Sequence, residues 1–252
     1  MKDDHSTTER AFWTLGEDRP SRWLITCDHA TNRVPRWVGG GELGIADADM
    51  GRHIAYDVGA AGVAERLAAL MDAPAILSDF SRLVIDPNRG EDDPTLLMRL
   101  YDGTVIPANK SADAAERRRR LERLHRPYHA ALARLAARHP ARCLCAVHSF
   151  TPQLRGRPPR PWQIGILYSH GDARLGPAMV AACRAEGWIT GENQPYSGHL
   201  DGDSIDRHAL SHGRPNMLIE IRNDLIRTEQ GQAEWAGRLA PVIARVLDET
   251  GL

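Results

Sequence analysis

Short apolar runs that stop abruptly on polar residues alternate along this chain with stretches of helical period. Trp23-Leu24-Ile25-Thr26-Cys27 reads as a buried strand that delivers Asp28 and His29 at its end. Asn32-Arg33-Val34-Pro35 and Gly39-Gly40-Gly41 then break the chain into a loop. From Asp47 to about Met71, apolar positions including Ile54, Val58, Val63 and Leu67 predict a helix. Pro74–Leu77 and Ser81–Asp86 read as two further strands. The longest helix candidate runs from about Asp113 to Arg138, where Pro127 predicts a kink or a break. Leu144–Val147 is again an apolar strand, and it ends on His148. Thr151–Pro161, basic and Pro-rich, is a loop. Ile164–Tyr168 and Met217–Ile221 supply two more strands, and Leu175–Glu186 and Ala233–Leu247 two amphipathic helices. Strands alternating with helices predict an α/β fold with a covered sheet.

Composition narrows the class. The 252 residues show no compositional break, which favours one domain over 1–252, with about 1–18 as a flexible N-terminal segment. Lys+Arg 32 against Asp+Glu 33 leaves a formal net charge of -1. That balance offers no footprint for nucleic acid or an anionic membrane. The basic run Arg117–Arg120 lies in a helical pattern and reads as a solvated face. No signal-peptide core opens the chain, and no apolar run reaches the roughly 18 residues of a membrane span, so a soluble, cytoplasmic protein is expected. Four cysteines are too few for a disulfide scaffold, and Cys143 and Cys145 read as buried thiols on one sheet face.

The chemistry concentrates where apolar strands end: His29, Asn88-Arg89, His148 and Glu220. Ligands of open α/β sheets bind outside the carboxyl ends of the strands. Two such histidines point to a divalent metal, since neutral imidazole is a common zinc ligand. Glu220 rides on Met217-Leu218-Ile219, and a buried carboxylate needs a partner or a function. A salt bridge to Arg222 or Arg227 is the plain alternative.

Six blocks, in order over roughly residues 20 to 245, resemble the N-formylglutamate amidohydrolase family. They are Asp28-His29-Ala30-Thr31-Asn32-Arg33-Val34-Pro35, His53–Ala60, Ser81–Arg89, Val147–Pro152, Asn193–Gly198 and Ile219–Ile226. That family in turn resembles zinc carboxypeptidases and aspartoacylases, which implies a single-domain α/β fold with a mixed, mostly parallel sheet flanked by helices. His148-Ser149-Phe150 is similar to their second metal-ligand strand, Glu220-Ile221-Arg222 to the strand bearing their general base, and Asn88-Arg89 to their pair that grips the substrate carboxylate. An Arg fork does match a carboxylate bidentately.

One departure from the relatives matters. They carry a glutamate three residues after the first histidine, where this chain has Asn32, a poor zinc ligand. The third ligand must come from elsewhere, with Asp49, His53 and Asp57 available and His53 preferred for its nitrogen. The resemblance then implies one zinc ion on His29, His148 and His53, activating water for attack on an amide carbonyl. Glu220 is the expected base, Arg82 the candidate oxyanion stabiliser, and Asn88, Arg89 and Tyr196 the candidate substrate contacts. His199, in the same loop as Tyr196, reads as a loop residue. The implied substrate is a small N-acylated amino acid such as N-formyl-L-glutamate. A metallopeptidase acting on peptide or peptidoglycan fragments, and a binding protein that has lost the chemistry, are the alternatives. Oligomeric state is not legible.

Overall fold

The computed structural model describes residues 9–252. Its strands are β1 (Phe12–Leu15), β2 (Trp23–Cys27), β3 (Ala75–Ser78), β4 (Leu100–Tyr101), β5 (Thr104–Val105), β6 (Cys143–Phe150), β7 (Ile164–Leu167), β8 (Thr190–Glu192) and β9 (Asn216–Arg222). The helices are α1 (Asp47–Met50), α2 (Ala60–Leu70), α3 (Pro107–Lys110), α4 (Ala114–Arg120), α5 (Arg126–Ala137), α6 (Gly176–Ala185), α7 (Ser204–His208) and α8 (Glu229–Thr250). Seven strands form one sheet in the order β1-β3-β2-β6-β9-β7-β8, and β4 and β5 make a separate hairpin. Strands β3, β2, β6 and β9 run parallel, β7 and β1 enter antiparallel, and β8 follows β7 in parallel. The fold is a mixed, mostly parallel α/β sheet flanked by helices, as expected.

Every residue of β6 is buried, which is what a central strand covered on both faces requires. Its odd positions Cys143, Cys145 and Val147 join one core with α2, α6 and α8 through Val63, Leu67, Met179, Leu239 and Ile243. Its even positions Leu144 and Ala146 join the opposite core with Tyr128, Leu132 and Leu135 of α5. All four cysteines are free and buried. Strict alternation therefore carries His148 onto the α5 face. The same rule sends Met217, Ile219 and Ile221 of β9 to the first core and Glu220 to the α5 face, beside Leu218. A third cluster, built on Ile54, Phe80, Leu83, Ile85 and Leu124, lies under the loops around the sheet end.

Four local readings change. The expected helix over Asp47–Met71 is α1, a run of turns, and α2. Gly59 causes the restart: its φ is 82°, and an added Cβ would lie 2.1 Å from the Ile226 carbonyl oxygen. Ser81–Asp86 is buried turn rather than strand. The Ser81 hydroxyl donates to the Ala55 carbonyl at 2.7 Å and accepts from Leu83 N–H at 3.2 Å, so the backbone folds back on itself. Apolar character marked its burial and could not distinguish a strand from a buried turn. The 113–138 helix is interrupted near Pro127 as expected, by a π-helical turn at Leu121–His125. Arg120 in the basic run is buried, not solvated, and bonds Glu116, the Val84 carbonyl and Asn109. Finally, within the segment expected to be flexible, Phe12–Leu15 forms the edge strand on β3, while residues 1–8 lie outside the described residues. Among the described residues, no helix is long and apolar enough to cross a membrane.

Candidate active site

His148 and Glu220 are register partners across β6 and β9, so pairing alone sets them side by side at the carboxyl end of the sheet. His29 follows β2, the neighbour of β6 on its other side. The turns before Gly59 bring in Asp57, whose backbone N–H donates to the His29 carbonyl at 2.9 Å. His148 Nδ1 lies 2.8 Å from Asp57 Oδ2, and His29 Nδ1 lies 3.4 Å from the same oxygen. One ligand atom from each of His29, Asp57 and His148 falls within 4.8 Å of the others, and all three residues are buried.

The far nitrogens of the two rings meet carboxylates. His29 Nε2 is 2.7 Å from Asp86 Oδ1. His148 Nε2 is 3.4 Å from Asp28 Oδ2, long for a hydrogen bond but close for an ion pair. Asp28 in turn accepts from the Tyr128 hydroxyl at 2.5 Å and from the Ser204 hydroxyl at 2.9 Å. Arg82 bonds Asp86 at 2.8 Å and reaches Asp57 at 3.5 Å. Carboxylates that grip the remote ring nitrogen are how metal-ligating histidines are oriented.

Electrostatics sharpen the picture. Burial would raise the Asp28 carboxyl, but the close approach and charge of His148, with His29 and Tyr128, leave it lowered to about 2. Asp57 is likewise lowered against its burial, by the charge of His29 and its bond to His148, and Asp86 by Arg82 and then His29. Burial would lower His148, yet its ion pairs with Asp28 and Asp57 raise it well above the usual imidazole value. Glu220 behaves oppositely: burial, against the pull of His148 and with the push of Asp57, raises it to about 8. Its Oε2, like Asp28 Oδ2 and His148 Nε2, is buried without a hydrogen-bond partner. Three ionised carboxylates, Asp28, Asp57 and Asp86, thus face two buried cations: His148, held protonated, and Arg82, which burial opposes but Asp86 and Asp57 keep firmly charged. A divalent cation taking the place of the His148 proton would balance these charges, and the two imidazole nitrogens and one carboxylate oxygen suit zinc.

A cleft of about 240 Å³ opens over these groups, lined also by Asn88, Arg89, Tyr101, Tyr196 and Asp203. Asn88 is buried, its Oδ1 accepting from Ser204 N–H at 3.1 Å. Arg89 donates to the Asn88 carbonyl at 2.7 Å and to Thr95 at 3.2 Å. The Tyr196 hydroxyl accepts from Arg160 at 3.1 Å, with the guanidinium 4.9 Å above its ring. His53 borders the cleft but stands outside the ligand cluster, with its Nε2 3.6 Å from Asp102. His53, preferred from the sequence as third ligand, is not one of the three residues whose ligand atoms converge, and Asp57 stands in that cluster. Asp57 lies in the turns before α2, where its backbone is tied to the His29 carbonyl. Asp49 pairs with Arg52 at 2.7 Å, Asn32 donates to the Met50 carbonyl at 2.9 Å, and His199 pairs with exposed Asp201 at 2.9 Å.

Other members of the site were not singled out from the sequence. Asp28 and Asp86 each had a signal, a carboxylate closing an apolar run. Asp203 caps α7, accepting from Asp206 N–H, and burial raises it to about 6. Behind the Pro87–Arg89 turn lie three buried histidines with no common sequence signature. His129 Nε2 is 2.9 Å from the Pro87 carbonyl, His125 Nε2 is 3.0 Å from that of Arg89, and His129 Nδ1 meets His208 Nε2 at 2.8 Å. Since a carbonyl only accepts, both Nε2 atoms carry protons and His208 donates to His129.

Comparison with known proteins places this geometry. The family model for N-formylglutamate amidohydrolase matches residues 21–227. The chain belongs to the N-formylglutamate amidohydrolase family. Membership assigns it to the hydrolysis of amide bonds. A solved gene product of Agrobacterium tumefaciens is 33% identical, with a TM-score of 0.90 over 96% of this chain and 97% of that one. The N-formylglutamate amidohydrolase of Ralstonia eutropha JMP134 is 21% identical, with a TM-score of 0.69 over 95% of this chain and 98% of its own, a likeness of fold. No curated protein matches the sequence significantly.

Proposed function

We propose that this member of the family is a metal-dependent hydrolase of N-acylated amino acids, with N-formyl-L-glutamate as the model substrate. The observation that carries the reading is the convergence of His29, Asp57 and His148 on one point beside Glu220, in a pocket whose ionised carboxylates outnumber its cations. His29, Asp57 and His148 would hold the ion, with Asp86 and Asp28 fixing the two rings from behind. When bound, a divalent ion there supplies Lewis acidity toward a carbonyl and lowers the pKa of water toward about 7.

The chain's own residues do the rest. Glu220 accepts a proton from the attacking water and returns it to the leaving amine. A carboxylate raised to about 8 is too basic to stay ionised in the metal-free pocket at neutral pH, and added positive charge beside it lowers that value toward the working range. Arg82, paired with both Asp57 and Asp86, holds the ligand carboxylates and presents its charge where the carbonyl oxygen becomes anionic. Asn88 and Arg89 receive the substrate carboxylate, and Tyr196 covers the bound molecule. A cleft of about 240 Å³ lies just below the usual range of roughly 300–1,000 Å³ for ligand pockets, in keeping with a substrate of amino-acid size. The reading is tested by assaying purified, metal-analysed protein against a panel of N-acyl amino acids. Release of the free amino acid supports it, and a folded, metal-loaded protein that cleaves none of them refutes it.

A further inference from the structure

Beyond His53 and Thr151 the cleft runs into a second, larger depression of about 690 Å³. Its lining includes Arg155, Arg227 and Asn223 but neither Asn88 nor Arg89. Arg52 there is balanced by Asp49 and Asp102. Arg155 and Arg227 have no acidic partner among the described residues. Asn223 is buried with its Oδ1 unpartnered, and so is His53 Nε2. Burial, reinforced by the nearby charges of Arg52, Arg82 and Arg160 and only partly offset by Asp102, lowers the His53 pKa, so the ring is neutral at pH 7. This wall offers two uncommitted guanidiniums and neutral polar groups at the end of the cleft that does not bind the amino-acid carboxylate.

We propose that this depression is a second anion subsite, which takes an acyl group ending in a carboxylate. The inference rests on the function proposed above, because it is the amide at the His29–Asp57–His148 cluster and the carboxylate on Arg89 that send the acyl end toward His53 and Thr151. A formyl group fills none of this space. A dicarboxylic acyl group reaches Arg155 and Arg227, whose planar forks match its terminal carboxylate.

Three substrates test it: N-formyl-glutamate, N-succinyl-glutamate, and the terminal amide of the latter. Both arginines are exposed, so Arg155→Gln and Arg227→Gln leave the core untouched. Metal-loaded wild type is expected to prefer the succinyl acid over its amide by about tenfold in kcat/KM. Each single variant should lose up to about fivefold of that preference, the upper range for an exposed ion pair, and the double variant nearly all of it. Hydrolysis of N-formyl-glutamate with no acid preference, or a preference untouched in the double variant, overturns the subsite while leaving the amidohydrolase reading intact. Calorimetric titration with succinate decides the subsite without turnover. Binding that weakens in the double variant supports it, and equal binding overturns it.

Discussion

His148 Nδ1 lies 2.8 Å from Asp57 Oδ2, and this pairing joins the central strand β6 to a turn that the sequence pattern assigned to a helix. It favours Asp57 over His53 as the third donor of the proposed metal centre. Asp57→Asn and His148→Ala should each lower bound zinc sharply on elemental analysis, while His53→Ala retains it. Loss of metal from the His53 variant alone would reverse the assignment.

Arg89 is expected to grip the substrate carboxylate. Losing a hydrogen bond to a charged group costs about 1.5–3 kcal/mol, which is about tenfold to a hundredfold. Arg89→Lys keeps the charge but loses the fork, so KM should rise, and rise more for the acid than for its amide analogue. Equal losses for acid and amide would assign Arg89 to holding the turn through Asn88 and Thr95.

Glu220→Gln should lower kcat by about 10²–10⁴-fold with metal retained. The same change has a second signature in the metal-free protein. A carboxyl raised from its ordinary value to about 8 favours the fold below the ordinary value and loses that contribution as pH rises through about 8. Each unit of raised pKa corresponds to about 1.4 kcal/mol. The metal-free variant should therefore melt above wild type at pH 9 and match it near pH 4. A pure salt-bridge role predicts the opposite, a lower Tm with turnover intact.

The histidines behind the Pro87–Arg89 turn should set the acid limit of stability. Burial, with Arg207, lowers His208 to about 4, so the neutral ring stabilises the fold above its ordinary pKa. That contribution disappears as pH falls from about 6.5 to about 4, a change on the order of 3 kcal/mol. Denaturant titrations over this window should show the slope in wild type and a shallower one in His208→Gln. An identical slope would show that the stack does not control acid unfolding.

The sequence revealed the frame of the fold and about half of the site. The runs that became β2, β6, β7 and β9 are continuous and largely apolar, so they were recognisable, and with them His29, His148 and Glu220. Asp57 was visible only as one of three options, because its placement depends on Gly59 approaching Ile226, a contact 167 residues away in the chain. Ser81–Asp86 misled because burial, not strand geometry, demands apolar residues there. His125 and His129 are four residues apart in one helical stretch, but His208, and the Arg155–Arg227 wall, join distant segments with no local period to announce them. Alternation, by contrast, puts His148 and Glu220 on one face of the sheet once β6 and β9 are adjacent, and the observed register makes them partners.

The central claim is that a metal held by His29, Asp57 and His148 drives amide hydrolysis here. The most direct measurement is the rate of glutamate release from N-formyl-L-glutamate by one preparation, before chelation, after chelation and after zinc is restored. The account predicts turnover that disappears with the metal and returns with it. Turnover that is unchanged in protein shown to be metal-free would contradict it.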